Sequence, residues 1–149
     1  MRVALGADHA GITLKVRLKE FLDKQNVAYQ DFGTTSEESV DYPDYALQVA
    51  QSVSSGINDF GILICGSGIG MAITANKVKG IRAAPVADTS TARLARQHNN
   101  ANVLALGARN LSTDRALEIV DAFLSTSFEG GRHLRRLDKI DDIENSWFS

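Results

Sequence analysis

The chain has very little of several things that define whole classes of protein. Of its 149 residues only one, Cys65, is a cysteine, which excludes an intramolecular disulfide and any zinc site built on a cysteine cluster. Two prolines and twelve glycines are too few for a collagen-like chain or a disordered Pro/Gly tract. Neither sign of charge dominates: 16 Lys and Arg face 18 Asp and Glu, for a net charge of −2. A uniformly basic nucleic-acid binder is thereby disfavoured. The longest uncharged run, from Phe60 to Asn76, is interrupted by four glycines and by Ser67, Thr74 and Asn76, too broken to span a bilayer. Strand-like sequence begins at Arg2, which leaves no room for a targeting segment. The expectation is a soluble, cytoplasmic protein with neither a nucleic acid nor a membrane as partner. The remaining composition is ordinary, 44% hydrophobic and 23% charged. It suits a single domain over residues 1–149 with one core.

Five short segments read as buried strands: 3–5, 27–32, 60–64, 81–86 and 103–106. Several are continuous apolar runs, as in strands covered on both faces. Helical spacing lies between them. Leu14, Leu18, Phe21 and Leu22 make one apolar stripe, Tyr45, Ala46, Val49, Ala50 and Val53 make a second, and Gly56 is a suitable stop. Further helices are predicted over 69–78, 89–98, 113–124 and about 134–146, the last carrying Leu137, Ile140, Ile143 and Trp147 on one side. Strand alternating with helix five times predicts an α/β fold: a three-layer α/β/α, Rossmann-like domain on a five-stranded parallel sheet. Pro85 inside a strand pattern predicts a sheet edge or a strand end.

Ligands of such sheets bind beyond the carboxyl ends of the strands. The polar residues collect there: Asp8 and His9 after the first strand, Gly33 to Thr35 after the second, Cys65 to Gly70 after the third, Asp88 after the fourth, Gly107 to Arg109 after the fifth. The loop Cys65-Gly66-Ser67-Gly68-Ile69-Gly70 is the strongest signal. Glycines at alternate positions let backbone N–H groups turn inward on an anion, either a phosphate or a developing enediolate, though the same glycines also suit a tight turn made for packing. A dinucleotide fingerprint fails at Met71, where G-x-G-x-x-G needs glycine, although Asp88 stands where a ribose-binding acid would. Cys65 is either a small buried side chain or, between a glycine loop and a helix start, a thiol placed to react. Asp8 suits a helix N-cap, and His98 suits a helix C-terminus. Arg132 and Arg136, four apart near the start of the last helix, present two guanidinium forks to one side. That arrangement suits a phosphate or a solvated basic patch. No set of His, Cys and acidic residues has metal-ligand spacing, and no cofactor or metal is expected.

Together these residues resemble the ribose/galactose-phosphate isomerases, in particular the type B ribose-5-phosphate isomerases. The resemblance covers nearly the whole chain. It rests on Gly6-Ala7-Asp8-His9-Ala10-Gly11, Asp41-Tyr42-Pro43, Ile64 to Gly70, Ala75-Asn76-Lys77, Arg96-Gln97-His98-Asn99, Asn102 to Arg109 and Glu129-Gly130-Gly131-Arg132-His133. It implies a metal-free aldose–ketose isomerase that interconverts ribose 5-phosphate and ribulose 5-phosphate. In that family the cysteine matching Cys65 is the base, the histidine matching His98 opens the sugar ring, and Ser67 stands for a threonine that keeps the hydroxyl. Ser67 is expected to relay protons. Asp8, His9, Tyr42, Asn99, Arg109, Arg132 and Arg136 match residues that bind the sugar or its phosphate, and the backbone N–H groups of Gly66, Ser67, Gly68, Ile69 and Gly70 are expected to bind the substrate where negative charge develops. Met71 replaces the Glu base of another branch. The resemblance also implies a homodimer or dimer of dimers with shared active sites. The segment carrying His98 and Arg109 is expected from the neighbour, and the last helix is expected to pack on the partner chain. Allose 6-phosphate, galactose 6-phosphate and tetrose phosphates remain as alternative substrates, and a non-catalytic sugar-phosphate or nucleotide module as an alternative class.

Overall fold

Where a strand is buried on both sides, its odd residues serve one layer and its even residues the other. A computed structural model that describes residues 1–147 has five strands, β1 (Arg2–Ala7), β2 (Ala28–Asp31), β3 (Phe60–Cys65), β4 (Ala83–Pro85) and β5 (Val103–Gly107), of which the central three, β1, β3 and β5, obey this rule. All neighbouring pairs are parallel, and the order is β2-β1-β3-β5-β4. The helices are α1 (Ile12–Lys24), α2 (Tyr42–Ser54), α3 (Ile69–Ala75), α4 (Thr89–Gln97), α5 (Thr113–Ser125) and α6 (Arg132–Trp147). Val3, Leu5, Ile62, Ile64, Leu104 and Leu106 face α1, α4 and α5, whereas Ala4, Leu63, Cys65, Val103 and Ala105 face α2 and α3. The three-layer prediction holds. Among the described residues no helix is long and apolar enough to cross a membrane.

Register positions the site. Ala7 pairs with Ile64, and Cys65 with Gly107, so β1, β3 and β5 end level and their following loops converge. The chain reverses its direction of sheet building between β1 and β3, and this is the point where such sheets hold ligands.

Pro85 lies on β4, an edge strand, as its missing N–H requires. Some elements are shorter than their apolar patterns. α3 stops at Ala75 rather than running to 78, because the Asn76 side chain turns to the free edge of β4. Its Nδ2 donates to the Ala83 carbonyl at 3.0 Å, and its Oδ1 accepts the Ala83 N–H at 2.8 Å. α6 begins two residues before the expected position and runs to Trp147. Only His133 and Leu137 of α6 are buried; Leu134, Ile140, Ile143 and Trp147 are exposed, Trp147 by 80%. The helix is tied beside β4 by the Glu144 carboxylate, which accepts the Gly80 N–H at 3.1 Å, and by a 3.9 Å contact between Arg82 and Asp141.

Candidate active site

The β3 loop is shaped by backbone contacts that admit no side chains. Gly68 has φ +80°, and a Cβ there would meet the Leu106 carbonyl carbon at 2.9 Å. With glycine, its N–H donates to the Cys65 Sγ at 3.1 Å. Gly107 plays the matching part on β5, where a Cβ would lie 2.7 Å from the Ser67 carbonyl oxygen. The two loops are then tied, Ala108 N–H to the Cys65 carbonyl at 2.8 Å and Arg109 N–H to that of Gly66 at 3.1 Å. Ser67 is exposed, and its Oγ accepts the Ile69 N–H at 3.2 Å.

Around this loop stand three side chains of different chemistry. Asp8 is buried, and its Oδ1 accepts the Ala10 N–H at 2.9 Å. The capping role and the site role therefore coexist, since Asp8 also lines the cleft with Cys65. Tyr42, the first residue of α2, lays its ring over Gly70. Arg109 lies against Gly66. Asp8, Tyr42, Cys65, Ser67 and Arg109 line one cleft of about 550 Å³, a size that suits a small molecule. His9 follows Asp8, and its Nδ1 accepts the Val40 N–H at 3.2 Å. A neutral ring then carries its proton on Nε2, as a donor for an anion.

Behind the cleft, Lys15 is 2% exposed, donating to Asp31 at 2.8 Å and to the Thr34 carbonyl at 2.6 Å. Burial pushes the Asp31 carboxyl up, but hydrogen bonds from Lys15 and the Gly33 N–H, with the Lys15 charge, outweigh it and hold the carboxyl below its usual range. This pair anchors the start of the segment that supplies Val40 and Tyr42.

The remaining predicted residues lie elsewhere. α4 starts beyond the carboxyl end of β4 and runs back, so His98, its C-terminal cap, sits at the amino ends of the strands. Arg82, just before β4, donates to the carbonyls of Asn99 and Asn100 at 3.1 Å. From Asn102 to Gly107, level with Cys65, is five strand steps of ~3.3 Å, roughly 16 Å. His98, Asn99, Arg132 and Arg136 therefore do not meet Cys65 within one chain. Arg109, expected from the neighbour together with His98, instead belongs to the cleft of its own chain.

This second cluster is held by a residue read only as part of a motif. Arg96 is 8% exposed between Phe60 and Phe123, 4.8 and 5.7 Å from the ring centroids, and burial lowers its pKa. It donates to the carbonyls of Ala101 at 2.6 Å and Thr126 at 3.2 Å. The segment leading to α6 is thereby fastened to the end of α4, and His133 stacks on His98 with ring centroids 4.2 Å apart. Burial, then His98 and Arg132, lower the His133 pKa. The stack also brings together three side chains that no spacing in the sequence had grouped. Ligand atoms of His98, Glu129 and His133 lie within 4.8 Å of one another. Thirty residues lie between His98 and Glu129, so no local spacing revealed the trio.

Fold and cleft together define an open α/β enzyme domain whose switch-point site combines a thiol, a carboxylate, a phenol and a glycine-rich loop. The chain belongs to the Ribose/Galactose Isomerase family, which it matches over residues 3–140. It is 48% identical over 143 residues to the ribose-5-phosphate isomerase B of Escherichia coli strain K12, with 96% of each chain covered. The ribose-5-phosphate isomerase B of Clostridium thermocellum superposes with a TM-score of 0.97 at 50% identity, covering 99% of both chains. That of Mycoplasma genitalium, solved with bound ribulose-5-phosphate, gives 0.93 at 46% identity, covering 97% of this chain and 96% of that one.

Proposed function

We propose that this protein interconverts D-ribose 5-phosphate and D-ribulose 5-phosphate through an enediolate, with Cys65 as the base and no metal required. The observation that carries this reading is the Cys65 sulfur in the cleft, bonded by the Gly68 N–H. Cys65 takes the proton from C2 of the open aldose and returns it to C1, while Ser67 relays protons between O1 and O2. The N–H groups of the 66–70 loop oppose charge as it develops on those oxygens, usually the largest catalytic term. The ribulose-5-phosphate bound by the M. genitalium relative supports this substrate class. The discriminating experiment is a coupled assay of ribose, allose and galactose phosphates and a tetrose phosphate. Ribose 5-phosphate is expected to have the highest kcat/KM, and turnover of none of them would overturn the reading.

The functional unit is a homodimer, or a dimer of dimers, in which His98, Asn99, Arg132 and Arg136 of the partner subunit complete the cleft. The roughly 16 Å that separates the two halves along the sheet supports this, as do the exposed apolar residues of α6, which suit a partner chain. His98 then opens the furanose, and Arg132 and Arg136 hold the phosphate, with His9 and Arg109 from the other side. Phosphate binding energy thus aligns C1 and C2 with Cys65. Co-expressing Cys65→Ala and His98→Asn chains tests it. In a symmetric dimer, random pairing rebuilds about a quarter of the sites from the two intact halves. No recovery above the separate variants would place both residues in one chain's site. The protein works in the cytoplasm, where the phosphorylated substrates are retained.

A further inference from the structure

We infer that His98, Glu129 and His133 form a binding site for a transition-metal ion of the zinc class, and that loading it inhibits the enzyme. The three residues reach one point from two elements. His98 caps α4, Glu129 is held to it by its N–H bond to the Gln97 carbonyl at 3.1 Å, and His133, the second residue of α6, follows Glu129 across the turn at Gly130 and Gly131. Their ligand atoms fall within 4.8 Å of one another, and Glu129 Oε2 is 3.6 Å from His133 Nε2. A tetrahedral zinc ion with bonds of ~2.0–2.1 Å holds its donors about 3.3 Å apart, so the set closes once the His98 ring turns out of its 13° stack on His133 to aim a nitrogen at the same point. His98, partly buried with one face on His133, is the side chain that tips. His133 is buried, and Arg96 fixes the backbone on which both elements meet.

The donor set decides the ion. Two imidazoles and one carboxylate select zinc, copper, nickel or cobalt over magnesium or calcium, which take oxygen ligands. The negative end of the α4 helix dipole favours a cation beside His98. Arg132 and Arg136 oppose it, which leaves too little affinity for an ion bound by charge alone. Three protein ligands leave a fourth position for water.

Inhibition rests on the role proposed above for His98: a ring nitrogen bound to metal cannot move the proton that opens the sugar. The test uses Zn²⁺ and Co²⁺ on chelator-stripped, full-length protein. The stripped enzyme is expected to be fully active, to bind one Co²⁺ per chain with a four-coordinate visible spectrum, and to lose ribose 5-phosphate turnover as Zn²⁺ fills the same site. Glu129→Gln, an exposed change that leaves the fold intact, and His133→Gln each weaken binding at least about tenfold, and Glu129→Gln restores turnover in Zn²⁺. Cys65→Ser leaves metal binding unchanged. A sulfur-to-cobalt charge-transfer band, or Glu129→Gln and His133→Gln chains that bind as wild type, would overturn the site. Binding at these ligands without inhibition would keep the site and overturn both the inhibition and the role of His98 in ring opening.

Discussion

Gly70→Ala separates stability from catalysis. Gly70 is the second residue of α3 and has no positive φ, so alanine suits its backbone better than glycine, by ~1 kcal/mol on helix propensity. The obstacle is Tyr42, since the new Cβ would lie 2.7 Å from the phenol oxygen and closer still to the ring. Tyr42 is 38% exposed and has solvent to swing into, so the clash is relieved by losing the ring from the cleft rather than by opening the core. The fold is then as stable as wild type or slightly more so, while the substrate loses a phenol hydrogen bond of ~0.5–1.5 kcal/mol. Since 1.4 kcal/mol is tenfold, kcat/KM for ribose 5-phosphate falls roughly 2- to 12-fold. The assay pairs urea denaturation with steady-state kinetics of Gly70→Ala in wild-type and Tyr42→Ala backgrounds. On the second background the loss disappears, because the ring it displaces is already gone. An equal loss on both backgrounds, or unchanged kinetics in the single variant, would refute the argument that Gly70 is kept to seat Tyr42.

Cys65→Ala is expected to lower kcat by ~10²–10⁴-fold, the usual worth of a positioned base, with sugar-phosphate binding largely kept. Most of the wild-type kcat remaining would remove Cys65 as the base. Arg136→Ala raises KM by roughly one to two powers of ten, as loss of a charged hydrogen bond of ~1.5–3 kcal/mol to phosphate requires. Inorganic phosphate inhibiting this variant as tightly as wild type would make the arginine pair a solvated patch. Asp31, held below its usual pKa, stabilises the fold fully above the unfolded value of about 3.9. In the window between the two values the unfolded chain binds more protons, so that stability is lost as pH falls through the lowered folded pKa. Asp31→Asn flattens this acid limb in urea midpoints and, by leaving Lys15 buried without its ion pair, costs ~3–5 kcal/mol at neutral pH.

The amino-acid sequence by itself determined the layers and half of the site. Alternation of strand and helix patterns is local, and apolar runs such as 60–64 are buried on both faces wherever they are placed, so the parallel sheet was legible from spacing alone. The same holds for Asp8, Cys65 to Gly70 and Arg109, because a residue just after a strand in such a sheet always lies at its carboxyl edge. Strand order was not legible, since nothing local tells β5 to enter between β3 and β4. The separation of His98 from Cys65 was expected only through the family resemblance, which put His98 on the neighbour; no local pattern shows it. A helix that follows a strand must run back along it, and its far end arrives at the opposite edge of the sheet. The meeting of His98 with Glu129 and His133 was likewise decided only in three dimensions, by Arg96 buried between Phe60 and Phe123 and bonded to Ala101 and Thr126. Such contacts join residues far apart in the chain, and their geometry exists only once the core has closed around them.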